Sequence, residues 1–313
     1  MTQQPQDSVL ERERCPGCGS TAFNFIVRES FESLALKTYF EQHYEGRADL
    51  KLLKGFSYEL VRCRDCGLGY QRTIPGTHLL NQIYEHWIPP TEKERLQRQY
   101  DLNDFRYWAE QVQFLVQYLR LSPHSIRVFD FGLGWSEWAS MARAFGCQVA
   151  GAELSPARIQ HARSIGIEII EWNDIPTRSF HFINTEQVFE HLLEPLETLK
   201  HLAGSLETGG ILKISVPDSR SALRRIEKGG NFGALSRSDR MPVAPLEHVN
   251  CFEYRSLVRL AGMAHLRPIR PRLRLVYDSA SGWLSPHRAL KALLRPIYRH
   301  WWPKSTFVYF VKQ

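Results

Sequence analysis

No run of roughly eighteen apolar residues occurs in this chain, so the sequence contains no segment able to cross a bilayer as a helix. Its first residues, Met1-Thr2-Gln3-Gln4-Pro5-Gln6-Asp7, lack the apolar core of a signal peptide, which predicts a cytoplasmic protein. The composition of a disordered tail is also missing. With 43% hydrophobic residues over 313 positions, the chain can bury one sizeable domain and a smaller one. Acidic charge is the minority sign: 40 Lys and Arg against 33 Asp and Glu leave a net +7, which permits RNA, nucleotide-linked sugars or a membrane surface as partners without choosing among them. The basic residues are dispersed, with denser groups at Arg220, Arg224, Arg225, Lys228, Arg237 and Arg240 and from Arg267 to Arg274. The N-terminal part has no basic stripe interleaved with aromatics, the usual mark of nucleic-acid binding.

Cysteine is scarce, yet four of the six stand in two Cys-x-x-Cys pairs, Cys15-Pro16-Gly17-Cys18-Gly19 and Cys63-Arg64-Asp65-Cys66-Gly67. This is zinc-ribbon spacing. Each knuckle turns tightly enough for both thiolates to reach one tetrahedral ion, and the following glycine permits the positive φ that such a turn needs. Disulfides are disfavoured in a cytosolic chain, and a thioredoxin-type centre needs a single pair at a helix start, so Cys15, Cys18, Cys63 and Cys66 are expected to hold a structural Zn²⁺ with no open position for catalysis. An insertion separates the knuckles, and within it Phe31 to Tyr44 has the apolar spacing of a helix. Cys147 and Cys251 are expected to be isolated buried thiols.

A third glycine is absent from the most informative segment. Asp130-Phe131-Gly132-Leu133-Gly134-Trp135-Ser136 follows the apolar run Ile126-Arg127-Val128-Phe129 and precedes a helical stretch, so a glycine loop lies where a strand hands over to a helix. Glycine allows close approach of a ligand to backbone, and the first helical turn offers unpaired N–H groups. A nicotinamide fingerprint would place glycine where this chain has Glu137, a poor neighbour for a pyrophosphate, so dinucleotide binding is disfavoured. The strand Gln148 to Ala152 then ends in Glu153, the acidic residue after a second strand that binds ribose hydroxyls.

Asp130-x-Gly132-x-Gly134 resembles the first motif of class I S-adenosylmethionine-dependent methyltransferases, with Ser136 in place of the usual third glycine. The resemblance extends from about Ser122 to Gln313. Ile167 to Trp172 looks like a third strand ending at Asn173-Asp174, and Phe180 to Asn184 like a fourth, although the family commonly begins that strand Phe-Asp and this chain has Phe180-His181. Glu186 to Leu192 is similar to the family's "EVLEHL" segment, and Leu206 to Pro217 to its turn into strand five, with Gly209-Gly210 ending one helix. The resemblance implies an α/β fold, a doubly wound seven-stranded Rossmann-like sheet with a small N-terminal zinc-binding module. It implies S-adenosyl-L-methionine as cofactor, bound by Asp130, Gly132, Gly134, Glu153, Leu154, Asp174 and Gln187, with Gly132 and Gly134 around the methionine portion, Glu153 at the ribose, Asp174 at the adenine and Gln187 beside the reaction centre. For a hydroxyl acceptor a histidine is the natural general base, and His191 and His248 are the candidates.

Two Cys-x-x-Cys pairs, the second running into Gly67-Leu68-Gly69-Tyr70, ahead of such a domain resemble a set of bacterial methyltransferases associated with sugar, polysaccharide or secondary-metabolite biosynthesis. The expected acceptor is therefore a small hydroxylated, sugar-like metabolite. Two alternatives fit the same residues: an RNA methyltransferase whose zinc module binds nucleic acid, and a non-catalytic zinc-bearing interaction protein. The expected organisation is a flexible tail over 1–12, a zinc module over 13–75, a helical linker or cap over 76–121 and the methyltransferase domain over 122–313, with 218–250 as a substrate lid. Tyr100, Tyr107 and Trp108 are candidates to line the cofactor entrance. Ser305 to Lys312 alternates like a final antiparallel strand, and Arg288 to Trp302 reads as a helix packed on the sheet, with membrane contact as its alternative.

Overall fold

Tyr58, Leu60 and Val61 are buried in the run Ser57 to Cys63, and a strand here organises the N-terminal architecture. The computed structural model describes residues 9–88, 100–273, 275, 286–302 and 307–312. It divides into two units: one gathers described residues of Met1–Gln99, Glu190–Glu194 and Pro217–Leu257, the other those of Tyr100–Phe189, Pro195–Val216 and Val258–Gln313.

In the first unit β1 (Val9–Glu11) pairs antiparallel with β5 (Thr73–Pro75). β2 (Phe23–Ser30), β3 (Ser57–Cys63), β4 (Gly69–Gln71) and a strand at Asn250–Cys251 form an antiparallel sheet in the order Asn250–Cys251, β4, β3, β2. Residues 9–11, expected inside a flexible tail, are thus a paired strand, while residues 1–8 of that tail lie outside the described residues. Helix α1 (Leu34–His43) begins where the Ser33 side chain accepts the Leu36 N–H, an N-cap bond. The i, i+3, i+4 spacing of Leu36, Tyr39 and Phe40 buries one face of α1 with Phe31, Tyr58 and Leu60. A second helix, α2 (Thr77–Asn81), runs into a π-type turn at Gln82–Trp87 and brings Leu79, Ile83 and Trp87 to the same core.

The rest of that core corrects the expected domain map. Ala222, Leu223 and Ile226 lie on one face of the helix Arg220–Glu227, and together with Phe232, Leu235, Val243 and Leu246 they pack in the first unit. The segment 218–250, expected as a lid inserted in the methyltransferase domain, is therefore grouped with the cysteine-bearing unit, because its apolar residues complete a core that residues 13–75 leave unfinished. The expected linker 76–121 also divides, residues 76–88 going with the first unit and 100–121 with the second; the Pro89-Pro90 interruption lies outside the described residues.

The second unit is built on a seven-stranded sheet. Its strands are β6 (Arg127–Phe131), β7 (Gln148–Ala152), β8 (Glu168–Ile169), β9 (Phe180–Glu186), β10 (Leu206–Ser215), β11 (Leu266–Ile269) and β12 (Val308–Lys312). The order is β11, β12, β10, β9, β6, β7, β8, parallel from β10 to β8, with β12 antiparallel to both its neighbours. Burial on both faces explains the apolar centre of β6 and β10. The chain moves outward from β6 through β7 to β8 and returns at β9 on the other side of β6, so the carboxyl ends of β6 and β9 form the switch point where doubly wound sheets bind ligands. Around the sheet run α3 (Leu102–Leu119), opened by a capping box at Asp101 and Asp104, then α4 (Glu137–Ala144), α5 (Pro156–Ser164) and α6 (Pro195–Gly204).

Three details depart from expectation. The third strand is only two residues long, and Trp172–Thr177 forms a 3₁₀ turn instead. Gly209-Gly210 does not end a helix: α6 stops at Gly204, and the glycines form an irregularity within β10, where a side chain on Gly210 would come 2.9 Å from the Glu207 carbonyl oxygen. The helix Pro286–Trp301 does not turn its large apolar residues inward; Leu290, Leu294, Ile297, Trp301 and Trp302 are exposed and Pro296 is buried. No helix among the described residues is long and apolar enough to cross a membrane. His181, the departure from Phe-Asp, accepts the Arg127 N–H at 3.1 Å and so helps register β9 against β6.

Phe232 packs edge-on against Tyr39 and Tyr58, with ring centroids 5.0 and 5.7 Å away. Phe232→Ala is expected to cost about 3–5 kcal/mol of stability. Urea unfolding followed by aromatic fluorescence checks this; a change within about 0.5 kcal/mol, as for a surface loop, would contradict the packing role.

Candidate functional site

The loop after β6 holds three residues at positive φ in alternation, Gly132 at 80°, Gly134 at 56° and Ser136 at 68°. The backbone demand at Ser136 accounts for glycine being usual at such a position, and serine tolerates it at a cost of about 1–2 kcal/mol. A Cβ on Gly132 would stand 2.5 Å from Val188 Cγ2, so the loop has no room for a side chain there. Gly132 and Leu133 N–H both donate to the Ala152 carbonyl, which ties the loop to the end of β7. Glu153 completes the tie: Oε2 accepts Gly134 N–H at 2.9 Å, and Oε1 accepts Leu154 N–H at 2.9 Å and Ser155 N–H at 3.0 Å.

Beneath the loop lies polar chemistry that an apolar sheet centre excludes unless it is paired. Asp130 is 3% exposed, and its carboxylate accepts Asn184 Nδ2–H at 2.7 Å. Burial pushes its pKa up to about 7, against the downward pull of that hydrogen bond and of Lys213. Lys213 Nζ, fully buried, donates to Gln111 Oε1 and to Glu186 Oε2 at 2.9 Å, while Tyr107 O–H donates to Glu186 Oε1 at 2.7 Å. Sequence reasoning missed this network; the signal was a lone lysine inside the strand Ile211-Leu212-Lys213-Ile214. Of the residues expected at an entrance, Tyr107 bonds Glu186, Tyr100 O–H donates to Glu137 Oε1 at 2.8 Å, and Trp108 stacks edge-on with Tyr100.

The other expected cofactor residues stand at the same carboxyl ends. Leu154 is 96% exposed after β7, Asp174 is exposed on the turn after β8, and Gln187 is exposed after β9 at φ 55°, its N–H donating to the Ser215 carbonyl. Trp135 Nε1 and Ser136 Oγ are buried with no hydrogen-bond partner among the described residues. A nearly fully exposed leucine and unmet polar atoms around a glycine loop fit a ligand with both apolar and polar parts, such as an adenosyl group.

The expected bases lie in the first unit. His191 Nδ1 is 2.9 Å from the Glu247 carbonyl oxygen and 3.4 Å from Tyr84 Oη, and the His191 and His248 rings meet edge-on at 4.8 Å. Burial lowers the pKa of both, His248 to about 3, so both are neutral near pH 7.

A family model described as "Methyltransferase domain" matches residues 98–269. The chain belongs to the methyltransferase-domain family. This bears out the expected enzyme class and the doubly wound sheet. The methyltransferase is also similar in structure to the plantazolicin methyltransferase BpumL in complex with SAH, at 13% identity and TM-score 0.45 over 75% of this chain and 94% of that one. A proposed sarcosine dimethylglycine methyltransferase from Galdieria sulphuraria is 18% identical, with TM-score 0.37 over 65% of this chain and 85% of that one. PKMT2 from Rickettsia typhi is 14% identical, with TM-score 0.42 over 66% and 54%. No curated protein matches the chain.

The methyltransferase carries its cysteines in a second site. Cys15 Sγ lies 3.5 Å from Cys66 Sγ, and Cys18 Sγ 3.5 Å from Cys63 Sγ, close to the about 3.8 Å separation of four sulfurs around one tetrahedral ion. Gly19 and Gly67 take φ of 76° and 75°, as the knuckles require. The proton shared between Cys15 and Cys66 pushes the first thiol up and the second down to about 5. This group of four suits a metal ion. Cys147 and Cys251 are buried outside it.

Asp130 yields a pH signature. Its folded pKa lies above the unfolded value near 3.9, so ionisation is easier in the unfolded chain and burial costs stability as pH rises from about 4 to about 7. In Asp130→Asn, which keeps an acceptor for Asn184, the stability gain over wild type is expected to grow across that interval and level off above it. Denaturant unfolding at pH 5 and pH 8 measures it; a pH-independent difference would mean that Asp130 does not titrate there.

Proposed function

We propose that this enzyme transfers the methyl group of S-adenosyl-L-methionine to a small hydroxylated acceptor, a sugar, nucleotide-sugar or glycan-type metabolite, in the cytoplasm. The observation that carries the reading is the three-residue left-handed loop at the switch point, closed from β7 by Glu153. The bound donor supplies an activated methyl on a sulfonium, so the chain has to bind, align and desolvate the reactants. Asp130, Gly132 and Gly134 are assigned to the methionine portion, Glu153 and Leu154 to the ribose, Asp174 to the adenine and Gln187 to the methionine end. Glu153 accepts three backbone N–H groups and lies 3.5 Å from Arg158 Nη1, so ribose hydroxyls would share its oxygens with, or displace, one of these partners.

Acceptor activation is assigned to His191 and His248. Each presents an unprotonated nitrogen that would draw a hydroxyl proton, while burial, which lowers both pKa values, also weakens them as bases. Cys15, Cys18, Cys63 and Cys66 are assigned to a structural Zn²⁺, which closes the first unit and supplies no chemistry.

Glu153→Ala is expected to weaken S-adenosylmethionine binding by about ten- to a hundredfold in calorimetry, the cost of losing charge-assisted hydrogen bonds, with zinc content unchanged. Equal affinity would remove the ribose assignment. Cys63→Ser is expected to lose zinc by elemental analysis and to open the first unit to protease; a variant that keeps its zinc would refute the four-thiolate site. The acceptor class is tested by incubating the enzyme with labelled donor and fractionated metabolites, followed by mass analysis.

A further inference from the structure

One carboxylate oxygen of Glu190 and one nitrogen each of His191 and His248 lie within 4.8 Å of one another. The three residues arrive from two stretches of chain, and each is held from outside the group. The Glu190 carbonyl accepts Asn250 N–H at 3.0 Å. The Glu247 carbonyl oxygen lies 2.9 Å from His191 Nδ1, which must carry the proton to make this bond, so the His191 lone pair is on Nε2. His248 bonds the Met241 backbone through one nitrogen, and its Nδ1 is buried with no hydrogen-bond partner among the described residues, in a residue only 8% exposed. Imidazoles anchored to carbonyls through one nitrogen and open at the other are how histidine ligands are oriented around a metal.

The loop that carries Glu247 and His248 is itself fixed. Glu247 Oε1 accepts Tyr44 O–H at 2.7 Å and lies 2.7 Å from His43 Nε2, so α1 and the residue after it brace the ligand loop. A purely structural role would leave His248 Nδ1 satisfied; a buried open nitrogen beside a carboxylate and a second imidazole instead asks for a cation.

From these observations we infer that Glu190, His191 and His248 form a binding site for one divalent transition-metal cation, separate from the four cysteines. Two imidazoles and a carboxylate are the donor set of open-sided sites for Mn²⁺, Fe²⁺ or Zn²⁺, with positions left for oxygens of a small molecule. A bound ion would draw the three donors to about 3–3.5 Å from one another, from metal–ligand distances near 2.1 Å. The ligand class this favours is an acceptor that chelates through two oxygens, such as a vicinal diol or an α-hydroxy acid. This ligand class rests on the methyl-transfer reading, in which a bound ion would acidify the hydroxyl of a chelating acceptor. The ion site itself does not depend on that reading.

The test uses the full chain with its cysteines zinc-loaded, titrated with Mn²⁺ alone while electron paramagnetic resonance reads the free ion. Soft thiolates do not select Mn²⁺, so the cysteine group stays silent. One saturable site per chain is expected, weakened roughly tenfold or more in Glu190→Gln and in His248→Gln. The glutamine amide can reach the position of Nε2 and keep the bond to Met241 while removing the Nδ1 ligand, and equal thermal unfolding of variant and wild type guards against a folding artefact. Absence of saturable Mn²⁺ binding in wild type, or equal binding in folded variants, overturns the site. Calorimetry with S-adenosylmethionine on the same samples separates the two readings: donor binding without the ion leaves the transferase and removes this site, and ion binding without donor does the reverse.

Discussion

The first unit depends on one buried cation. Arg12 is 8% exposed, and its guanidinium donates to the carbonyls of Leu192, Leu193 and Val249 and to Asn250 Oδ1 at 2.8–3.2 Å. Those acceptors sit on two segments that are distant from Arg12 and from each other in sequence, 190–194 and 217–257. Asn250 strengthens the join by donating through Nδ2 to the Leu192 carbonyl. A guanidinium offers five donors in a fixed fork, so it can satisfy several carbonyls at once where an ammonium would satisfy fewer in so flat an arrangement. His191 and His248 owe their proximity to this joint, since each lies within two residues of an Arg12 acceptor.

The second unit holds its glycine loop by a different device, a buried ionic layer under the sheet ends. Asp130 with Asn184, and Lys213 with Glu186, Gln111 and Tyr107, place charge where desolvation is costly. Removing one member would strand its partner, so the arrangement favours a single register of β6, β9 and β10 over slipped alternatives. That register decides where Gly132 and Gln187 emerge. Glu153 then acts from β7 on the same loop through the Gly134 N–H, so strand pairing and loop geometry are coupled.

Local signals made the second unit readable from the chain alone. Strand, glycine turn and helix are set by neighbouring residues, and Gly132, Gly134 and Glu153 could be placed without any tertiary knowledge. The cysteine knuckles were readable for the same reason, because four residues contain the whole turn. Arg12 was invisible as a structural residue, since nothing near it in sequence distinguishes a buried guanidinium from a solvated one. The segment 218–250 misled because its Arg, Gly, Ser and Pro content reads as loop, while its apolar residues are spaced irregularly and gain meaning only against α1, β3 and α2. The Glu190-His191 pair was visible as part of a motif, but its third member, His248, is fixed by tertiary contacts alone.

The order in which the chain supplies these pieces has a kinetic consequence. The first unit opens with β1 and Arg12 but is closed only when residues 190–194 and 217–257 arrive, so its central joint spans 180 and 238 positions in sequence. Contacts of such separation carry a loop-closure cost before they are rewarded, which slows folding relative to local assembly. Residues 13–75 alone lack Leu223, Phe232 and Leu246, and would expose Phe40 and Tyr58 to water. The four cysteines that suit a metal ion all lie in the same early segment, with Cys15 and Cys66 already made before residue 190 exists. An ion in the proposed four-thiolate site would hold this early segment together until its apolar cover arrives, which gives the cysteines a reason to sit so far from the residues that complete their unit.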